Sequence, residues 1–147
     1  MRYRLCDDEE HITGIAVELA IQAEPFADEV PYRLALHAQG VQVAEVPVGT
    51  LTPAELFALG HALLDAASDG FGHFVPADEV FGIDLAPPGV PGMSIGEVAV
   101  TVWVDAGKAS GGNPTRSGVA VQLIVDAQAL AAVAEAVCDQ AARVLSR

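Results

Sequence analysis

Residues 41–68, VQVAEVPVGTLTPAELFALGHALLDAAS, decide how the rest of the chain is read, because they join a strand pattern to a helix pattern with a helix start written between them. Val41 and Val43 alternate with polar neighbours, the period of a strand buried on one face, and Ala44-Glu45 shifts the phase to Val46 and Val48, as a bulge does. Pro47 has no amide hydrogen to give a ladder, which places this strand at a sheet edge. Thr52 then offers an N-cap oxygen, Pro53 suits the first helical position, and Glu55 is spaced to reach back to the Thr52 amide. Leu56, Leu59, Gly60, Leu63 and Ala67 recur at helical spacing. Glu55, His61, Ala62, Asp65 and Asp69 fall toward solvent, and Gly70 stops the helix.

Working outward, residues 1–6 read as a short edge strand, and the four acids from Asp7 to Glu10 as a solvated turn. Ile15, Val17, Leu19 and Ile21 alternate as a strand, and Tyr32, Leu34 and Leu36 pair back after the two prolines of 24–31. Downstream, 70–96 holds dispersed aromatics, a short strand near 80–85 and the run APPGVPG, so an irregular loop is expected that either serves function or plugs one end of the core. Val98 to Asp105 and Val119 to Val125 alternate as two further strands. The polar loop AGKASGGNPTRSG joins them and carries Lys108, Arg116 and no acid, a flexible basic spot where an anion could visit. Asp126 caps a final helix with Leu130, Val133, Val137 and Val144 on its stripe.

These elements predict one α+β domain over 1–147: an antiparallel sheet of five to six strands with two helices packed on one face. A hairpin-helix unit at about 14–69 is echoed at about 97–147, where VDAQAL repeats the position of LTPAEL, a possible pseudo-repeat.

Composition narrows the function classes. Mean hydropathy is +0.39, yet Glu18, Glu45, Asp65 and Asp84 interrupt the apolar stretches, and no run of about 18 uncharged apolar residues exists to cross a membrane. The N-terminal stretch meets acids where a signal core would begin, so a cytoplasmic location is expected. Cys6 and Cys138 stand far apart with no CxxC spacing, which predicts neither a disulfide framework nor a thiolate metal site. A net charge of −13 repels nucleic acid and attracts a basic protein partner, although solubility alone accounts for the same charge.

Few residues promise chemistry. His61 and Asp65 share one side of a helix, a geometry metals use with His73 as a third ligand, but the spacing is common by chance and a solvated helix face explains it without a metal; no metal and no cofactor are expected. His11 lies in the acidic turn. Cys138 borders an apolar stripe, and no nucleophile, phosphate-cradle or dinucleotide motif occurs, so a small-ligand or metal-dependent enzyme using His61, Asp65 and His73 is the least favoured of the readings. The more informative set runs out of phase with the core: Glu18, Arg33, His37, Thr101, Trp103, Gln122 and Ile124, interspersed with Ala16, Ala20, Ala35, Ala99 and Ala120. They make a flat, mixed second sheet face on which the single tryptophan stands either as an interface anchor or tucked under the 70–96 loop.

The strands leading into LTPAELFALGHALLDAA, and the strand VAVQLIVD leading into the last helix, are similar to small bacterial immunity proteins of the WapI immunity family. The likeness covers about half the chain and carries over no site residue. It implies a binder without catalysis, an immunity protein or inhibitor that neutralises a cognate partner. The alternative expectation is a self-assembling, phage-like structural component that forms a homodimer through the flat sheet face.

Overall fold

The computed structural model describes residues 1–7, 14–88, 96–113, 115 and 117–145. The strands β1 (Arg2–Cys6), β2 (Ile15–Ile21), β3 (Val30–Ala38) and β4 (Val41–Leu51) form an antiparallel sheet in chain order. The helix α1 (Pro53–Asp69) follows directly. Then β5 (Gly72–Phe74), β6 (Phe81–Ala86), β7 (Glu97–Asp105) and β8 (Gly118–Asp126) form a second antiparallel sheet in chain order, with the one-turn α2 (Ala106–Ala109) between β7 and β8. The helix α3 (Ala127–Leu145) ends the described chain. The antiparallel α+β class is as expected, but the single sheet of five to six strands is not: among the described residues eight strands are divided between two sheets. Each sheet is a four-strand meander closed by a helix, a longer unit than the hairpin and helix read at 14–69 and 97–147.

The division has a local cause. The β3–β4 pairing slips between Tyr32 and Leu34 and again between Leu36 and His37. Val43, Pro47 and Val48 are left without register partners on β4, which explains why Val48 is 84% exposed instead of facing inward. Two irregularities and Pro47 make β4 a blunted edge that a further strand does not extend. The chain instead leaves through α1 and starts a new sheet with β5, a strand of three residues too short to show a period in the sequence.

The start of α1 is the capping box its sequence specifies. Glu55 N–H donates to Thr52 Oγ1 at 3.1 Å, and Thr52 N–H donates to Glu55 Oε1 at 2.9 Å. Gly70, at φ 87°, ends the helix and donates to the Ala66 carbonyl at 2.8 Å. The inner faces of the sheets and both long helices share one core, in which Leu34, Leu59, Phe81, Val102 and Leu123 are almost fully buried. Each such side chain contributes about 1.5–3 kcal/mol of burial. The Tyr32 and Phe81 rings meet edge to face at 5.3 Å and so join β3 to β6. The helices cross at Gly60, where an added Cβ would stand 2.8 Å from Cys138 Sγ. Ala62, expected toward solvent, is buried because β5 lies against it: a Cβ at Gly72 would meet the Ala62 carbonyl oxygen.

Candidate functional site

The seven residues expected on one sheet face are divided by the fold. Glu18, Arg33 and His37 stand on the outer face of the first sheet, and Thr101, Trp103, Gln122 and Ile124 on the outer face of the second. The separation follows from the blunted β4 edge, since alternation along a strand tells which face a residue occupies but not which sheet the strand joins.

On the first sheet, register places Arg2, Ala20 and Arg33 in one row and Arg4, Glu18, Ala35 and Glu45 in the next. Ala20 and Ala35 floor a shallow dip of about 180 Å³. The charges around it largely satisfy one another: Arg33 reaches Glu45 at 3.3 Å and Arg4 reaches Glu18 at 4.0 Å. His37 Nε2 lies 3.8 Å from the Glu18 carboxylate and is screened from solvent without a hydrogen bond among the described residues. Exposed pairs of this kind contribute at most about 1 kcal/mol each, and they leave a face that is nearly neutral.

The second sheet presents a different face. His73, Asp84, Thr101 and Gln122 form one row across all four strands. His73 Nδ1 and Asp84 Oδ1 are 2.5 Å apart, and Gln122 Nε2 donates to Thr101 Oγ1 at 3.3 Å. The next row holds Gly82, Trp103 and Ala120, and the one on the other side Ala86, Ala99 and Ile124. Trp103 is half-buried and rests against the bare Cα of Gly82, so its ring is steadied by β6 in its own sheet while part of it stays open. That contact is with a strand of its own sheet, and residues 89–95 of the 70–96 segment expected to cover it lie outside the described residues. Ile124 donates its backbone N–H to Asp7 Oδ1 at 2.8 Å, which ties the end of β1 to the free edge of β8.

Beside Trp103, at the α2 end of the sheet, lies a cleft of about 370 Å³ lined in part by Glu79, Asp105, Ser117, Val119 and Ala120. Asp105 is buried, and its Oδ1 accepts from the amides of Lys108 at 2.9 Å and Thr115 at 3.2 Å. This carboxylate organises the loop expected to be a flexible basic spot, and Lys108 begins a different depression, shared with Val48 and Asp78. Arg116 lies outside the described residues. Glu79 sits at φ 55°, a left-handed conformation rare for a residue with a side chain, and its exposed carboxylate has no partner among the described residues. Glu79 gave no signal in the sequence, because its placement depends on the β5–β6 turn folding back over the end of β7.

The remaining candidates do not converge. His61 on α1 packs against Phe57 with ring centroids 4.2 Å apart, while His73 pairs with Asp84 on the second sheet. Among the described residues no three metal-ligating side chains gather, and His11 lies outside them. Burial pushes the Cys138 thiol up, with Asp139 and Glu135 adding to it, which is the opposite of an activated nucleophile. No helix among the described residues is long and apolar enough to cross a membrane. No family model, no curated protein and no solved structure matches the chain.

Proposed function

We propose that this chain is a non-enzymatic binding module that engages a basic protein partner through the outer face of its second sheet. The carrying observation is Trp103: the single tryptophan stands half-open on a flat row between Gly82 and Ala120, on a molecule of net charge −13. A large amphipathic ring amid small residues and a polar row of Thr101, Gln122, His73 and Asp84 matches the anatomy of an interface anchor with its rim. The acidic charge steers a cationic partner to it and speeds the encounter. An immunity protein or comparable inhibitor is the class of binder this describes, in line with the WapI-type resemblance, and the paired charges of Glu18, Arg33 and His37 make the first sheet the lesser candidate.

The test is affinity capture from the native host at low salt, run in parallel with wild type and Trp103→Ala. Capture of a basic protein that is lost with salt and with Trp103→Ala supports the reading, and equal capture by both chains overturns the use of this face. The flatness contributed by Ala86, Ala99 and Ala120 favours one second reading, a homodimer through the same face. Light scattering that finds a monomer at micromolar concentration removes it.

A further inference from the structure

We infer that the cleft beside Trp103 is a receptor for an arginine side chain of the partner, an assignment that rests on the proposed use of this sheet face. Its walls supply what a guanidinium requires. Trp103 offers an aromatic surface held in place by Gly82, over which a planar cation is attracted by the ring quadrupole. Glu79 offers a carboxylate with no partner among the described residues at the rim, in reach of a bidentate fork. Asp105 lies at the inner wall with its Oδ1 occupied by the loop amides, and so shapes the cleft without being free to bind. Among the described residues that line the cleft none is cationic. Val119 and Ala120 leave an apolar side for the methylene stem. A guanidinium is weakly hydrated, stacks on indole and pairs in a plane with a carboxylate, so arginine is favoured over the more strongly hydrated lysine ammonium.

Because Trp103 is the only tryptophan, the intrinsic fluorescence of the whole chain reports this cleft directly. The chain is titrated at constant ionic strength with hexa-arginine, hexalysine and hexaglutamate, with emission and calorimetry read together. Hexa-arginine should change Trp103 emission saturably and bind more tightly than hexalysine, and hexaglutamate should do neither. Glu79→Gln should weaken hexa-arginine by about tenfold, the size of one charge-assisted hydrogen bond. Glu135→Gln, the same charge change on the exposed side of α3, should stay within about twofold, as expected for a screened distant charge. Calorimetric binding with unmoved Trp103 emission, or with Glu79→Gln equal to wild type, overturns the arginine cleft and leaves the basic-partner reading standing. Absence of any hexa-arginine binding overturns both.

Discussion

The Trp103 indole lies across Gly82, the residue opposite it on β6, so closely that a methyl group at position 82 would stand 2.3 Å from the ring. A strand glycine ordinarily weakens its sheet, and here the aromatic neighbour fills the space its missing side chain leaves. The arrangement fixes one flank of the ring and turns the rest toward the cleft. Gly82→Ala should therefore displace Trp103, shifting its emission to the red and raising its access to a soluble quencher, with a loss of about 1–3 kcal/mol as for other overpacked sites. Unchanged emission in Gly82→Ala would show that the ring does not depend on this contact.

Alkaline stability follows from two buried tyrosines and one half-buried cysteine. Burial pushes Tyr32 up most strongly, with Asp78 and Glu55 adding to it; burial also raises Tyr3, partly offset by Arg143, and raises Cys138. In each case the folded state holds its proton more tightly than the unfolded chain. The stability these groups contribute is complete below their unfolded pKa values and is lost as pH rises past them. Stability should decline from about pH 9 to 10 upward, by up to about 1.4 kcal/mol per pH unit for each tyrosine. The Tyr32 hydroxyl has no hydrogen-bond partner among the described residues, so Tyr32→Phe should stay within about 1 kcal/mol of wild type at neutral pH and show a shallower alkaline decline. Urea denaturation between pH 7 and 11 measures both effects.

Gly60 and Cys138 set the closeness of the helix crossing. In isolation Gly60→Ala gains about 1 kcal/mol of helix propensity, but the new Cβ meets Cys138 Sγ at 2.8 Å and the Cys138 amide nitrogen at 3.2 Å. The clash should win, for a net loss of about 1–3 kcal/mol. In a Cys138→Ala background the nearest atom is gone, so the cost of Gly60→Ala should shrink. A double-mutant cycle by thermal denaturation reads that coupling, and additive effects would rule out the contact.

Glu55 serves two elements at once. One carboxylate oxygen closes the cap on Thr52, and the other accepts from the Ala77 amide at 2.7 Å, holding the segment that leads to Glu79. Glu55→Ala should cost about 1–3 kcal/mol by leaving both amides without this acceptor, more than the ~1 kcal/mol of Thr52→Ala, which removes only the cap oxygen. It should also speed hydrogen exchange at Ala77, whereas Thr52→Ala should leave that amide protected.

Where each element could be read from the chain depended on the range of the forces that specify it. The alternation at Ile15 to Ile21, the Thr52–Glu55 cap and the stop at Gly70 are local, so the residues alone announce them. The outward direction of Thr101, Trp103, Gln122 and Ile124 was legible for the same reason, since a period of two assigns faces. The His73–Asp84 pair was not, because β5 has three residues and its partner lies across a turn, and Glu79 was not, because nothing near it in sequence marks a cleft wall.

By itself the sequence determined the class of the fold, the strands with clear period, both long helices and an acidic exterior, because propensity, capping and periodicity act within a few residues. Only the tertiary structure decided that the strands divide into two sheets. It did so through bulges and Pro47 on β4, whose effect is to refuse a neighbour at that edge. The same division carried Glu18, Arg33 and His37 away from Trp103, and the β5–β6 turn brought the Glu79 carboxylate to the cleft beside it, a juxtaposition that depends on packing between segments distant along the chain.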